Sequence, residues 1–342
     1  MKTYFNLYPK IFSLKNLYLA FEKAKRGKSS KNYVKEFEKD LKNNLLRLQE
    51  ELRDLVYKPK PLKMFILRDP KLRKICKSEF RDRIVHHSII NVLESIYEKT
   101  FIFDSYANRK NKGTSKAIER LDFFVRIITK NYRNKIFHLK ADIRHFFETV
   151  NQEILIKLLK RKIKDNKLIQ LIDLILRNYT NKDIGMPLGN LTSQFFANVY
   201  LNELDYFIKN ELKVKYYIRY VDDFIILNEN KELLQYHREQ IENFLKNNLK
   251  LELHQNKSKI YLVNQGINFL GFRNFYHHKL LKKGKRKNIK TNVESIINSY
   301  NETKDYNLFI QKIESIFSHI EIANTFNLRM SLINQINCKF PI

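Results

Sequence analysis

Two adjacent aspartates, Asp222 and Asp223, lie between two apolar segments, and this pattern constrains the fold more than any other part of the chain. Apolar residues occupy 216–218 before the pair and 225–227 after it, which predicts a β-hairpin over 215–227 with both carboxylates at its tip. Neighbouring carboxylates repel each other and are costly to desolvate, and a divalent cation offsets both costs. An ordinary acidic turn is the alternative, because Asp is a common turn residue.

A third carboxylate favours the metal site over the acidic turn. Residues 136–143 read as a strand that ends near Asp142. Carboxylates at a strand end and a hairpin tip can hold two metal ions roughly 3.5–4 Å apart, the arrangement that catalyses in-line phosphoryl transfer. Oxygen ligands favour Mg²⁺ over zinc, and Mn²⁺ could replace it. We therefore predict a catalytic site of Asp142, Asp222 and Asp223, with Ile143 included in the metal site. Taken in isolation, Asp142 would fit a helix N-cap or a strand-end salt bridge better than a metal site.

The charge of the chain calls for an anionic partner. Lys and Arg number 65 against 36 Asp and Glu, a formal net charge of +29, and aromatic residues make up 13%. Such an excess indicates nucleic acid, although a lysine-rich surface from an AT-rich genome is the alternative. Cys76 and Cys338 form no CxxC or Cys/His cluster, which argues against zinc and disulfides. With no apolar run approaching roughly 20 residues and no signal peptide, we expect no membrane association, and the cysteine usage fits a reducing, cytoplasmic compartment.

The remaining pattern alternates helices with strands in the middle and is helical at both ends, which predicts an α+β fold with a central sheet. Helical segments are predicted at 14–57 (with a break at 27–30), 80–99, 151–178, 192–210, 231–249 and through most of the last 70 residues, short strands at 251–254, 258–263 and 267–272, and a loop at 180–191.

Seven sequence blocks, in order, resemble the fingers and palm of reverse transcriptases. The blocks are RDRIVHH (81–87), SYANRKNKGT (105–114), LKADIRHFF (139–147), GMPLGNLTSQFFANVYLNELD (185–205), YVDDF (220–224), HQNKSKI (254–260) and INFLGF (267–272). The resemblance spans about residues 60–275 and implies a right-hand polymerase that makes DNA on an RNA template from dNTPs. Its parts would be an N-terminal helical segment (1–60), fingers (61–135), a palm with an antiparallel sheet (136–275, with fingers elements in 150–190) and a basic helical thumb (276–342).

The resemblance also implies roles for single residues. Phe147 would be a steric gate against the ribose 2′-hydroxyl, although a core phenylalanine is the alternative. Lys77 and Arg83 would bind the triphosphate, unless Arg83 pairs with Asp82 or Glu79. Lys257 would lie near the nucleotide phosphates, with Leu188 and Gly189 also in the nucleotide site. Contacts with primer or template are expected from Arg109, Lys112, Ser193, Gln194, Tyr220 and Gly271, the last of which could instead mark a strand bulge.

Residues 188–194, LGNLTSQ, narrow the type of enzyme. Most reverse transcriptases carry QGxxxSP there, and Leu188 and Gln194 resemble the variant of diversity-generating retroelements. The resemblance implies a prokaryotic or phage-encoded enzyme that copies a template-repeat RNA with errors at adenines, together with a small basic pentameric accessory protein. Losing one glutamine hydrogen bond would weaken base discrimination by about 1 kcal/mol. Lineage drift, a phage-defence or group II-like enzyme, and a catalytically idle RNA-binding protein are the alternatives.

Two further expectations concern the end of the chain. Since it stops soon after the thumb-like region, we expect no maturase-linked, endonuclease, ribonuclease H or protease domain, and we see no Val-Thr-Gly segment of the retron kind. The basic stretch 279–290 reads as a nucleic-acid contact or, alternatively, as a solvated charge run.

Overall fold

The computed structural model describes residues 2–68, 72–179 and 183–339. The chain begins with four helices: α1 (Tyr8–Ile11), α2 (Leu14–Lys25), α3 (Asn32–Lys39) and α4 (Leu41–Arg53). The hydroxyl of Ser13 caps α2, and the predicted break at 27–30 separates α2 from α3. The apolar faces of these helices share one hydrophobic core with the helices of the centre of the chain.

A hairpin and two helices follow. Strand β1 (Lys63–Leu67) pairs antiparallel with β2 (Arg73–Lys77), and helices α5 (Phe80–Tyr97) and α6 (Thr114–Ile128) come next. The helix predicted at 80–99 is confirmed as α5, which packs against α2. The hairpin and α6 were not predicted. All five residues of β1 are exposed, so it lacks the apolar–polar alternation that marks a half-buried strand.

The central sheet has four antiparallel strands in the order β4-β5-β3-β6. They are β3 (Phe137–Asp142), β4 (Tyr216–Tyr220), β5 (Asp223–Asn228) and β6 (Lys259–Leu262). The predicted hairpin is confirmed, as is the strand ending at Asp142. Because side chains alternate along a strand, Leu139 and Ala141 enter the core, whereas Lys140 and Asp142 face the other way.

The following helices share the main hydrophobic core with this sheet: α7 (Phe146–Thr149), α8 (Gln152–Lys162), α9 (Asn166–Arg177), α10 (Leu191–Tyr206) and α11 (Lys231–Phe244). Both α10 and α11 continue as a π-helical turn, to Glu211 and Leu249. The helical segment predicted at 151–178 is two helices, because Asp165 caps a new start at α9. Part of the predicted loop at 180–191, residues 180–182, lies outside the described residues.

The C-terminal part combines a small sheet with three helices. Strands β7 (Ile267–Phe269), β8 (Phe272–Asn274) and β9 (Lys279–Leu281) form an antiparallel sheet, followed by α12 (Lys283–Thr303), α13 (Tyr306–Ile320) and α14 (Phe326–Lys339). The strand predicted at 267–272 is confirmed only over β7, because the chain turns back at Gly271, whose φ of +89° suits a residue without a side chain, and Phe272 begins β8.

The strand predicted at 251–254 was wrong, since this segment makes only an isolated bridge from Leu253 to Ile143. The helices of the last 70 residues are confirmed. In the described part of the chain no helix is long and apolar enough to cross a membrane. The proposed boundaries between fingers, palm and thumb stay predictions.

Candidate active site

The three aspartates converge at one end of the central sheet. Asp142, at the end of β3, lies directly opposite Asp223, the first residue of β5. Asp222 belongs to the two-residue turn between β4 and β5, and its carbonyl accepts a hydrogen bond from the Ile143 amide at 3.2 Å. The residues that the sequence predicted as catalytic are therefore neighbours in space.

The turn before Asp222 is strained. Val221 has a φ of +56°, a region that a β-branched side chain occupies only when its surroundings enforce it. The Arg219 guanidinium supplies such a restraint, because its Nη1 donates to the Val221 carbonyl at 3.1 Å. The shape of the turn that presents Asp222 and Asp223 thus depends on a side chain two residues earlier.

Arg219 is itself held in a buried polar network. Its side chain and that of Asp205 are both fully buried and form an ion pair, with Nε to Oδ1 at 2.7 Å. The Tyr217 hydroxyl donates to the same Oδ1 at 2.7 Å, and Asn198 lies 3.3 Å from the guanidinium. Sequence reasoning missed this network, although an arginine in the middle of an apolar strand was its signal.

Two lysines form ion pairs with two of the three aspartates. The Lys257 ammonium is 2.9 Å from Asp142 Oδ1, and the Lys140 ammonium is 3.0 Å from Asp223 Oδ2. Lys257 was predicted near the nucleotide phosphates, and the structure places it at the catalytic carboxylates. Lys140 was missed, although its position two residues before Asp142 puts both side chains on the same face of β3.

Burial, followed by the negative charges of Asp142 and Asp223, raises the pKa of Asp222 to about 6. Burial also raises the pKa of Asp223, against the opposing effect of Lys140. Asp222, which forms no ion pair within the described residues, is therefore poorly compensated at neutral pH, and a cation bound beside it would be stabilising.

The carboxylate oxygens of Asp142, Asp222 and Asp223 are suitable ligands for hard divalent cations. Asp223 Oδ1 is buried and, within the part of the chain that the structure describes, has no hydrogen-bond partner. Three carboxylates are the donor set that Mg²⁺ or Mn²⁺ prefers. In the present side-chain arrangement, however, no group of three or more His, Cys, Asp or Glu residues in the described ranges stands ready to hold a metal. Ile143 stays a predicted ligand.

The raised pKa of Asp222 predicts that the stability of the fold depends on pH. Because its folded pKa of about 6 exceeds its ordinary value of 3.8, the folded protein binds more protons there, and ionisation destabilises the metal-free fold as pH rises from about 4 to 6. We expect Asp222→Asn to increase the free energy of unfolding above pH 6 by up to about 3 kcal/mol, and by much less at pH 4. Urea denaturation in EDTA at both pH values measures this.

The matched control is Asp54→Asn, whose side chain is 52% exposed and outside the site. If Asp222→Asn increased the free energy of unfolding equally at both pH values, the raised pKa of Asp222 would be contradicted.

The two neighbouring phenylalanines differ in burial. Phe146 is fully buried, whereas Phe147 is half-buried at the edge of the core, with the ring centroids 5.2 Å apart. Phe146 is therefore a core residue. Phe147 is partly accessible, as a steric gate must be. Its role stays a prediction.

The loop before α10 is hydrogen-bonded to the β1–β2 hairpin and to the residue that follows it. The Leu188 carbonyl accepts from the Cys76 amide at 2.9 Å, and Asn190 Oδ1 accepts from the Ser78 amide at 3.2 Å. At Gly189, with φ +116°, an added Cβ would lie 2.8 Å from Ile75, so only glycine fits this approach. The predicted nucleotide residues Leu188 and Gly189 are thus placed beside Lys77. In α10, Ser193 is buried and Gln194 is half-exposed.

Lys77 and Arg83 meet at one aromatic ring. The Lys77 ammonium is 4.8 Å and the Arg83 guanidinium carbon 5.1 Å from the centroid of Tyr33. The expected alternative, pairing of Arg83 with Asp82 or Glu79, does not occur. Asp82 accepts from the Tyr57 hydroxyl and Glu79 pairs with Lys63.

The remaining predicted contacts of primer or template are engaged within the protein. Arg109 is buried in an ion pair with Glu98 at 2.7 Å and donates to two backbone carbonyls, so the geometry gives it a structural role. Lys112 donates to the Phe103 carbonyl at 2.8 Å.

Two other predicted contacts lie on turns or strand ends. Tyr220 accepts a 3.4 Å hydrogen bond from Thr114. Gly271 lies in the β7–β8 turn, where its φ of +89° favours glycine, and its contact with the primer stays a prediction.

Comparison with known proteins agrees with this geometry. The family model for "Reverse transcriptase (RNA-dependent DNA polymerase)" matches residues 57–274. The chain is 26% identical over 298 residues to the group II intron-encoded protein LtrA of Lactococcus lactis subsp. cremoris. The alignment covers 66% of this chain and 49% of LtrA. It is 26% identical over 282 residues to protein YkfC of Escherichia coli strain K12, with coverage of 70% and 71%. The chain thus spans about half the length of LtrA.

A solved structure supports the fold. The chain resembles apo telomerase of Candida tropicalis truncated from its C-terminal domain, with a TM-score of 0.50, 14% identity, and coverage of 68% of this chain and 59% of that one. At this level of identity the likeness concerns architecture alone, and it confirms the predicted α+β right-hand polymerase fold.

Proposed function

The chain belongs to the reverse transcriptase family, and we propose that it extends a primer with dNTPs on an RNA template at the site of Asp142, Asp222 and Asp223. One observation carries the proposal: the register of the sheet sets Asp142 opposite Asp223, with Asp222 on the adjoining turn. Two divalent ions held by these carboxylates would supply activation of the primer hydroxyl and neutralisation of the triphosphate.

The protein's own groups position the reactants. Lys140 and Lys257 pair with two of the carboxylates before substrates bind, and either ammonium can turn to a phosphate oxygen afterwards. Arg219 keeps the turn that carries Asp222 in its strained shape. The half-buried Phe147 closes the sugar side of the site.

Primer extension tests the proposal. The purified protein, Mg²⁺ or Mn²⁺, dNTPs and a DNA primer annealed to RNA should give full-length cDNA. Failure to extend any primer on RNA, by a protein that binds the annealed substrate, would overturn the proposal.

Sugar selectivity tests Phe147. We expect Phe147→Ala to raise the efficiency of ribonucleotide incorporation by one to two orders of magnitude, because loss of a clash worth about 1.4–2.7 kcal/mol corresponds to that factor. Competing dNTP and rNTP of one base in single-nucleotide extension measures the ratio. Phe146→Leu, a core substitution, is the control, and unchanged selectivity in folded Phe147→Ala would return Phe147 to the core.

We propose further that the enzyme is of the diversity-generating type. The support is the LGNLTSQ segment, in which Leu188 offers neither donor nor acceptor to the templating base pair. In this proposal the protein copies a template-repeat RNA with errors at adenines, acts in a prokaryotic cytoplasm and binds a small basic pentameric partner.

Fidelity tests this subtype. We expect Leu188→Gln to lower misincorporation opposite template adenine several-fold, because a glutamine hydrogen bond of about 1 kcal/mol would favour correctly shaped pairs. Sequencing cDNA from one adenine-containing template measures it, with Leu188→Met as the shape-matched control. Equal error spectra for Leu188→Gln and wild type would show that Leu188 does not cause misincorporation opposite adenine.

A group II-like reverse transcriptase is the second candidate. It is favoured by the similarity to LtrA, a group II intron-encoded protein. The two candidates differ in the wild-type error spectrum: adenine-biased errors support the diversity-generating type, and an even spectrum supports the group II-like type.

A further inference from the structure

A cleft opens beside the edge strand of the central sheet. It has a volume of about 520 Å³ and lies between β6 and the base of the β7–β8 hairpin, at the opposite end of that hairpin from the turn at Gly271. Volumes of roughly 300–1,000 Å³ are typical of small-molecule sites. The residues predicted to bind the dNTP, Lys77, Arg83, Leu188 and Gly189, do not line it. The cleft is therefore separate from the predicted dNTP site.

Two cations line the cleft, and no carboxylate does so among the residues that the structure describes. The Lys140 ammonium donates to the Asn268 carbonyl at 2.8 Å and to Asp223 Oδ2 at 3.0 Å. The Arg273 guanidinium donates to the Gln265 carbonyl from Nη2 at 2.6 Å and from Nε at 3.1 Å. A carbonyl does not neutralise a cation, so Arg273 keeps its charge and the cleft favours an anionic ligand.

Aromatic side chains form the walls of the cleft. Tyr261, on β6, is 45% exposed, and its ring centroid lies 5.8 Å from that of His138, its partner across β3 and β6. Phe275 stacks on His278 with the ring centroids 4.5 Å apart. At Gly266, with φ +83°, an added Cβ would lie 2.8 Å from the Phe275 ring, so glycine allows this close approach. An exposed tyrosine near two cations is suited to stack a nucleobase whose phosphate the cations bind.

The imidazole of His138 is the buried part of the lining. The residue is 2% exposed, and its Nδ1 has no hydrogen-bond partner in the described part of the chain. Burial, followed by the charge of Lys140, lowers the pKa of His138 to about 4, so the ring is neutral at neutral pH. A buried ring nitrogen without a partner is unfavourable, and a polar ligand group bonded to it would be stabilising.

We propose that this cleft binds one nucleotide unit, with its base against Tyr261 and its phosphate on Lys140 and Arg273. The two cations alone would suit any anion, whereas the exposed ring selects a ligand that carries an aromatic base. A free nucleotide and an unpaired nucleotide of an RNA strand share this chemistry. Because Lys140 is also bonded to Asp223, the site adjoins the catalytic carboxylates, but its binding of a nucleotide does not depend on polymerase activity.

Calorimetric titration of the metal-free protein in EDTA with adenosine 5′-monophosphate (AMP) tests the proposal. We expect AMP to bind at least about tenfold more tightly than inorganic phosphate, because stacking of the base adds to the attraction of the phosphate. Tyr261→Ala and Arg273→Gln should each weaken AMP binding about tenfold, which corresponds to about 1.4 kcal/mol. Both side chains are exposed, so urea denaturation should show an unchanged free energy of unfolding.

Three variants serve as matched controls. Tyr236→Ala removes a tyrosine of similar exposure on α11, and Arg47→Gln removes an exposed arginine on α4, so both should bind AMP as wild type does. Lys77→Gln alters the predicted dNTP site and should also leave AMP binding unchanged. Weaker binding by Lys77→Gln, with unchanged binding by Tyr261→Ala and Arg273→Gln, would overturn the inference, because AMP would then occupy the dNTP site.

A single-stranded RNA hexamer distinguishes the two sources of the nucleotide. Binding of AMP as described assigns the cleft to a free nucleotide. Absence of AMP binding, together with a tenfold loss of hexamer affinity in both Tyr261→Ala and Arg273→Gln, assigns it to a nucleotide of a strand. Equal affinities of the wild type and both variants for AMP and for the hexamer would overturn the proposal. So would AMP that binds no more tightly than inorganic phosphate while the hexamer is unaffected.

Discussion

The double substitution Asp222→Asn, Asp223→Asn is expected to lower the rate of RNA-templated primer extension by at least about 10³-fold. Asparagine has nearly the same shape as aspartate, but its side-chain amide lacks the anionic oxygens that hold divalent ions. The bound metals contribute several kcal/mol to phosphoryl transfer. Burial raises the pKa of both carboxyl groups and Asp222 has no lysine partner among the described residues, so neutral amides should leave the fold intact even though the Asp223–Lys140 ion pair is lost. Single-turnover extension with saturating dNTP measures the chemical step.

Controls separate chemistry from folding and binding. Asp54→Asn removes an exposed carboxylate and should extend at the wild-type rate. The double variant should bind the annealed primer and RNA with unchanged affinity at equal salt. Extension by the double variant within tenfold of wild type would refute the assignment of these aspartates.

Breaking the buried Arg219–Asp205 pair is expected to cost about 3–5 kcal/mol of folding stability. Both side chains are fully buried, so Arg219→Met leaves Asp205 charged without its partner, and desolvation of that charge is no longer offset. Replacing both residues, as Arg219→Met with Asp205→Leu, should regain part of the stability, because no unpaired buried charge remains, although the Tyr217 hydroxyl loses its acceptor. Urea denaturation compares the three proteins.

Activity should not recover with stability. In the double variant the Val221 carbonyl has lost the donor that Arg219 provided, so the strained turn is no longer held and the extension rate should stay well below wild type. Arg53→Met, at an exposed ion pair, is the matched control and should change neither quantity. A stable double variant with wild-type activity would show that Arg219 serves folding alone.

The parts of the site that the sequence predicted share one property: their pattern is local. The hairpin at 216–228 and the strand ending at Asp142 follow from apolar runs that end in carboxylates, and both are confirmed. The convergence of Asp142 on Asp223 could be anticipated because both lie at strand ends.

The parts that were missed depend on contacts between distant segments or on exposed surfaces. The β1–β2 hairpin carries no alternation, because every residue of β1 is exposed. The pairing of Asp205 with Arg219 follows from the packing of α10 against the sheet, which no single segment encodes. The engagement of Arg109 with Glu98 likewise belongs to tertiary packing rather than to the motif that contains Arg109.

Counting bound metal ions tests the central claim most directly. A dideoxy-terminated primer annealed to RNA, with a matching dNTP, forms a complex that cannot react, and electron paramagnetic resonance of free Mn²⁺ then gives the number bound. We predict two ions in the wild-type complex and at most one, carried by the nucleotide, in the Asp222→Asn, Asp223→Asn complex. Two ions in both complexes would contradict the account, because the carboxylates of Asp222 and Asp223 would then not hold them.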